Sequence, residues 1–306
     1  MKKNYTYIII ISILLIILIF PEDCASGVEL GLKLFLSSLL PAILPFIILS
    51  NFIIKMNFSE QLGKLFYPFT HLLFNCSFNG SYAIIMGFLC GYPVGAKIIC
   101  DLIKNDKLSP EEGTYLFHFV NHASPAFIQG YIALSLFKTD NYRLFALILT
   151  FVPEIITGLI FRNSTPFLSP KPTENNIEYP FSKILDDSIF NALVTVAKIG
   201  GYLILFSVFT CIISKAAFIP VIFKTILISI TEMTSGAYYV SLLSLNKTIK
   251  LLLCTEVCIL GGISTFFQIN SVILKSHLKM KDFVISKIIT AVIAVVLFVL
   301  LYPLLA

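Results

Sequence analysis

Apolar stretches alternate with short polar or Gly/Pro-rich turns along the chain, and this order predicts a set of membrane helices. Tyr5–Phe20 is an unbroken apolar run behind Lys2 and Lys3 and reads as a retained first span. Glu22, Asp23 and Glu29 then mark a short acidic outer loop. Leu30–Ile54 is a second span, which Pro41 and Pro45 should bend or locally unwind. Leu65–Phe74 is too short to cross and suits an interfacial or partly inserted helix. Further spans are expected at Thr114–Phe137, Leu144–Phe161, Ile189–Ile213, Leu251–Ile273 and Val284–Leu304, with another short surface helix over Ala216–Ile230.

Four of these apolar stretches are interrupted. Gly91, Pro93 and Gly95 split Tyr82–Ile103, whose flanks Lys64, Lys104 and Lys107 all favour the inner side. A re-entrant hairpin with its tip at Gly91–Gly95 satisfies both ends. Asn121, Ser124, Pro125 and Gly130 break Thr114–Phe137. Ile230–Leu243 is a second hairpin with its tip at Ser235–Gly236, and GGIST breaks Leu251–Ile273. Backbone breaks in lipid leave N–H and C=O groups that need protein, water or ligand as partners. They are retained where half-helix ends build a binding site. At Leu108–Gly113, Ser109 caps a helix, Pro110 takes its first position and Glu112 closes a capping box.

The order bent span, hairpin, broken span, closing span occurs twice. About 29 residues separate Gly95 from Ser124, and about 28 separate Gly236 from Ser264. The halves flank Asn163–Lys183, a polar stretch with four prolines that reads as a linker. The expected organisation is a helix over 1–24, one repeat over 27–162, the linker over 163–183 and a second repeat over 184–306. The fold class is an all-α polytopic membrane protein: an inverted repeat with two re-entrant hairpins and two broken helices. The count is about seven spans, with the N-terminus inside and the C-terminus outside.

Composition agrees. Of 306 residues, 57% are hydrophobic and 13% charged, against about 25% charged in a soluble domain. The net charge of +5 comes from lysines flanking apolar runs and requires no nucleic acid. The seven cysteines form no CxxC pair, and Cys254 with Cys258 has no nearby His, so no metal site is expected. Walker and HExxH motifs are absent, and Ser124 with His118 or His122 lacks a third partner. No cofactor and no enzyme activity are expected.

Ionisable residues inside apolar sequence are costly there and become candidates for function. Lys198 lies mid-span, with Glu154 or Glu256 as a structural pair in the alternative reading. Lys97 follows the first tip, where the alternative is snorkelling to the inner surface. Glu232 opens the second hairpin and could be a helix cap alone. Glu154 could carry a proton. His118 and His122, four apart, read as a packed pair rather than ligands.

GFLCGYPVGAKIICDL, FVNHASPAFIQG, TEMTSG and LGGISTFFQ together resemble the sporulation integral membrane protein YlbJ family. The resemblance covers most of the chain from Leu30 onward, and GYPVGAK is its most specific piece. It implies two nucleoside-recognition (Gate) units, similar to the core of concentrative nucleoside transporters. It also implies a role in endospore formation, moving dipicolinic acid out of the mother cell across the outer forespore membrane. On this reading the substrate is a small anion in a lipid-embedded transporter or facilitator. A coupling ion, H+ or Na+, and self-association are compatible with it. Its site residues are Gly91, Tyr92, Gly95, Lys97, Asn121, Ser124, Phe127, Gln129, Lys198, Glu232, Ser235, Gly236, Ser264 and Gln268. Lys97 and Lys198 would offset the substrate's charge. N–H groups after Gly95, Ser124, Ser235 and Ser264 would bind its carboxylates, and Tyr92 or Phe127 would stack on it. Nucleoside or nucleobase transport, and a non-transporting role in spore-envelope assembly, are the alternatives.

Overall fold

A computed structural model describes residues 2–138, 142–162, 167, 180–274 and 276–304. Apart from short π and 3-10 segments, the elements of the described residues are α-helices. Of the linker expected over 163–183, residues 163–166 and 168–179 fall outside the described residues, and Phe181–Lys183 already belong to a helix.

Two long helical rods form the frame. The first runs through α2 (Pro21–Leu34), a π-turn (Phe35–Leu39) and α3 (Leu40–Lys55). The second is α9, Phe181–Lys215, with 35 residues and the same length as the first. At about 1.5 Å per residue each exceeds the ~30 Å hydrocarbon core. They lie antiparallel. Lys55 Nζ ends the first rod 3.2 Å from Asp187 near the start of the second, and Lys215 Nζ ends the second 2.5 Å from Asp23 near the start of the first. Between these reciprocal ion pairs, Gly27 and Gly31 let the backbones meet. A Cβ on Gly27 would sit 2.5 Å from Val208 Cα, and one on Gly31 2.7 Å from Ile204 Cα. Small residues one turn apart are how membrane helices approach closely.

This frame corrects the expected acidic loop. Glu22 and Asp23 lie in the first turn of α2 behind Pro21, where a proline at the start and carboxylates against the helix dipole favour helix rather than loop. The boundary expected at residue 24 therefore falls inside a helix. Pro41 and Pro45 do not break the rod. The π-turn just before Pro41 widens the hydrogen-bond ladder where the proline ring would otherwise clash.

Around the frame, α1 (Lys2–Ile19) meets α2 at 100°, and α4 (Ser59–Phe74) leaves α3 at 103°. α4 turns Leu65, Phe69 and Leu72 outward and buries Gly63, Thr70 and Phe74 against α5 (Phe78–Cys90). α5 packs against α6 (Val94–Lys104), and α10 (Val221–Thr231) against α11 (Met233–Ser241). None of these four legs exceeds 13 residues, about 20 Å, so none crosses a bilayer alone. α7 (Pro110–Phe117) is separated by seven non-helical residues, 118–124, from Pro125 and Ala126, which lead into a π-helix (Phe127–Leu136), whereas α12 (Lys247–Leu260) passes into α13 (Gly262–Ile273) through Gly261 alone. α8 (Arg143–Ile160) and α14 (Met280–Leu301) pack together as closing spans.

Among the described residues, four helical stretches are long and apolar enough to cross, namely α8, α9, α12–α13 and α14. The two sharply bent pairs raise the number to six. The chain is an all-α polytopic membrane protein. The expected count of seven differs because Thr114–Phe137 unwinds over too much of its length.

At the base of the first hairpin, Ser109 caps α7 by accepting from the Glu112 N–H at 3.1 Å. The Glu112 carboxylate does not close the capping box. It accepts the Ser77 N–H at 2.6 Å and so joins α7 to the start of α5. Burial pushes this carboxyl, which precedes the span, up to about 7.

Candidate functional site

The four interruptions meet in pairs. In the first half, Gly91 takes φ +71°, and a Cβ there would lie 2.6 Å from both His122 O and Ser124 N. The Tyr92 N–H donates to the His122 carbonyl at 2.7 Å. A Cβ on Gly95 would lie 2.5 Å from Val120 O and 3.0 Å from Asn121 Oδ1. The first hairpin tip thus lies on the unwound segment of its own half. In the second half, Gly262 at φ +72° approaches Ser229 O, Ile230 O and the Glu232 N–H. That hairpin tip likewise lies on the break between α12 and α13.

Two tyrosines tie the halves together. The Tyr92 hydroxyl donates to the Cys258 carbonyl and stands 2.7 Å from Met233 Sδ. The Tyr131 hydroxyl donates to Thr234 O at 3.0 Å. Tyr92 is buried, and its hydroxyl acts as a strut between the halves. Phe127 is half-buried and pairs with Tyr131 at 5.1 Å.

The second tip is at Glu232, not at Ser235–Gly236. Glu232 is extended (φ −151°, ψ 126°), and its carboxylate accepts from Thr234 N–H at 2.8 Å and Ser235 N–H at 2.7 Å. The short surface helix expected over Ala216–Ile230 is therefore the first leg, α10, of this hairpin. Gly236 lies within α11, where lack of a Cβ admits Ser229 Cα. A carboxylate built into the chain already occupies the α11 N-terminus assigned to substrate. Other expected donors are also engaged. After Gly95 the Lys97 N–H donates to Pro93 O, and after Ser124 the Phe127 N–H donates to Ser124 Oγ; at the fourth position Ser264 Oγ accepts from Gln268 Nε2 at 3.0 Å. Ser264 and Gln268 are buried on α13, and half-buried Gln129 lies on the π-helix.

The two expected substrate lysines are not brought together. Lys97 is ion-paired to Asp101 one turn along α6 at 2.5 Å. Lys198 stands on the exposed side of α9, because that helix buries the opposite stripe of Ala192, Val196, Ile199, Gly200 and Leu203. Neither Glu154 nor Glu256 is its partner. Lys287 of α14, 2% exposed, is ion-paired to the fully buried Glu154 of α8. Sequence reasoning missed Lys287 because a lysine near the start of a last span looks like another flanking positive charge. Its signal was its place seven residues inside the helix start, one turn beyond Phe283.

The histidines part company. His118 stacks on Phe161 at 4.1 Å, whereas buried His122 lies edge-on between Phe88 and Phe151. The described residues hold no cluster of three His, Cys, Asp or Glu suited to a metal. Beside the second tip a cavity of about 350 Å³ is rich in hydroxyls, from Tyr131, Thr210, Ser214, Thr234, Ser235, Tyr238 and Tyr239.

No family model matches the chain, and no solved structure matches it. Among curated proteins it is similar to the sporulation integral membrane protein YlbJ of Bacillus subtilis (strain 168). The identity is 24% over 319 residues, covering 92% of this chain and 78% of that protein. A relative aligned along nearly the whole chain supports the YlbJ-family resemblance carried by the motifs around Gly91, Ser124, Glu232 and Ser264.

Proposed function

We propose that the protein is a secondary transporter or facilitator of a small anionic solute in endospore formation. Its cargo is dipicolinic acid, moved from the mother cell across the outer forespore membrane. The observation that carries the transport reading is the pairwise meeting of four broken elements, joined across the halves by Tyr92 and Tyr131. Interrupted helices are kept in a bilayer where they line a site, and two repeats that insert in opposite senses can rock about it. The antiparallel rods with reciprocal ion pairs supply the frame for such repeats. The sporulation context and the cargo rest on the resemblance and on the relative's name.

A second reading, nucleoside or nucleobase transport, is favoured by the cavity lining, which is hydroxyl-rich and contains no lysine or arginine. A neutral cargo needs hydrogen-bonding groups, whereas a dianion needs compensating charge. Liposomes carrying only this protein, offered labelled dipicolinate or labelled uridine, separate the two. Dipicolinate uptake above empty liposomes is expected. Uridine uptake alone assigns the nucleoside reading, and uptake of neither, with intact protein, assigns an assembly role.

A further inference from the structure

The ion pair of Glu154 and Lys287 lies inside two packed closing spans, and water does not reach it. The carboxylate is incompletely satisfied, with the Thr290 hydroxyl beside it. Glu154 Oε1 takes the Lys287 ammonium, while Oε2 is buried without a hydrogen-bond partner. His122 lies within electrostatic reach of Lys287. Its ring is 4.8 Å from that of Phe151, and Glu154 is three residues further on, on the same side of α8. His122 Nδ1 lies 3.0 Å from Ala123 O, which fixes the proton on Nδ1 and leaves Nε2 as a bare acceptor. Nε2 is also buried without a partner. Two unsatisfied acceptors in the same buried region can each take a proton.

We infer that the Glu154–Lys287 pair, with His122 beside it, is a proton-binding site. A proton entering it forms an O–H bond on the Glu154 carboxylate and turns the idle oxygen into a donor. The ammonium of Lys287 then loses the counter-charge of Glu154. Lys287 also lines, together with Glu256, an apolar cavity of about 760 Å³ between α10, α12, α13 and α14. With Lys97 held by Asp101 and Lys198 turned outward, this supplies the positive charge an anionic cargo needs, a step that rests on the transporter reading. Proton and anion would then bind together, each raising the other's occupancy. Other titratable groups on the elements packed against α8 and α14 are Lys247, Lys250, Cys254, Glu256 and Cys258 of α12, Tyr131 of the π-helix, Glu60, Lys64, Tyr67 and His71 of α4, Glu111, Glu112 and Tyr115 of α7, and Tyr302 beyond α14, with His118 in the unwound segment.

The test is infrared difference spectroscopy of the full-length protein in liposomes, titrated between roughly pH 5 and pH 9 around the histidine range. Wild type should show a protonated-carboxyl band that Glu154→Gln lacks. Lys287→Met, which removes the cation holding the carboxylate ionised, should move the band's midpoint at least tenfold toward lower proton concentration. Glu154→Gln/Lys287→Met removes both charges and serves where a single variant fails to fold. It should lack the band as well. Spectra of Glu154→Gln and the double variant identical to wild type overturn the inference. A titrating Glu154 band without dipicolinate uptake upholds the proton site and removes the dipicolinate reading. Uptake without such a band does the reverse.

Discussion

At the scale of single residues, the breaks are held by groups that admit few replacements. Gly91 combines a positive φ with backbone contacts on both sides. Gly91→Ala therefore adds strain of about 1 kcal/mol or more together with a backbone clash, and thermal unfolding in detergent should fall accordingly. Glu232→Ala removes two charge-assisted bonds at the α11 N-terminus and should cost about 1–2 kcal/mol in the same assay, with Glu232→Gln losing less. Glu112 gives a pH signature. Burial raises its folded value from 4.5 to about 7, so its favourable contribution is fully present below about pH 4.5 and is lost as pH rises through about 7. Glu112→Gln keeps an acceptor for the Ser77 N–H. It should flatten the fall in melting temperature across that window; an unchanged slope would remove Glu112 as the cause.

At the scale of elements, the rods are held by small residues on one face and ion pairs at both ends. Gly27→Val and Gly31→Val would drive a side chain into the α9 backbone and should sharply reduce folded protein in detergent. Gly201, on the open side of α9, has nothing near its Cβ position. Gly201→Ala should leave folding intact or raise stability by about 0.5–1 kcal/mol. Equal damage from both kinds of change would mean that the close approach of the rods is not what holds them. The hairpins differ in their means. The first tip is placed by backbone contact at Gly91 and the second by the Glu232 carboxylate, so a search for matching tip residues finds little.

At the scale of the whole molecule, the ion pairs place chain segments on opposite sides. Lys55, Asp187 and Lys107, which donates to Ile54 O, share one face, and Asp23, Lys215 and Lys224, which donates to Ser214 O, share the other. Single cysteines at 55, 107 and 187 in a cysteine-free background should react with an impermeant reagent from one side only, and those at 23 and 215 from the other. Residues 55 and 215 labelling together would contradict antiparallel rods.

The sequence by itself determined the class of protein and the position of nearly every interruption. Apolar runs, Gly/Pro breaks and flanking lysines act locally, so their consequences are readable along the chain at Gly91, Asn121–Pro125 and Gly261–Gly262. It also carried the motifs that a relative along the chain supports. Tertiary structure decided which charges meet. Glu154 and Lys287 are 133 residues apart, and no spacing links them. Only the packing of α8 on α14 makes them a pair, and only the buried stripe of α9 turns Lys198 away. It also decided that Glu232, rather than a ligand, satisfies the α11 N-terminus. Which side chain fills a buried polar vacancy depends on what the fold leaves closest, because an ion or amide removed from water must take a partner within hydrogen-bonding reach, wherever that partner lies in the chain.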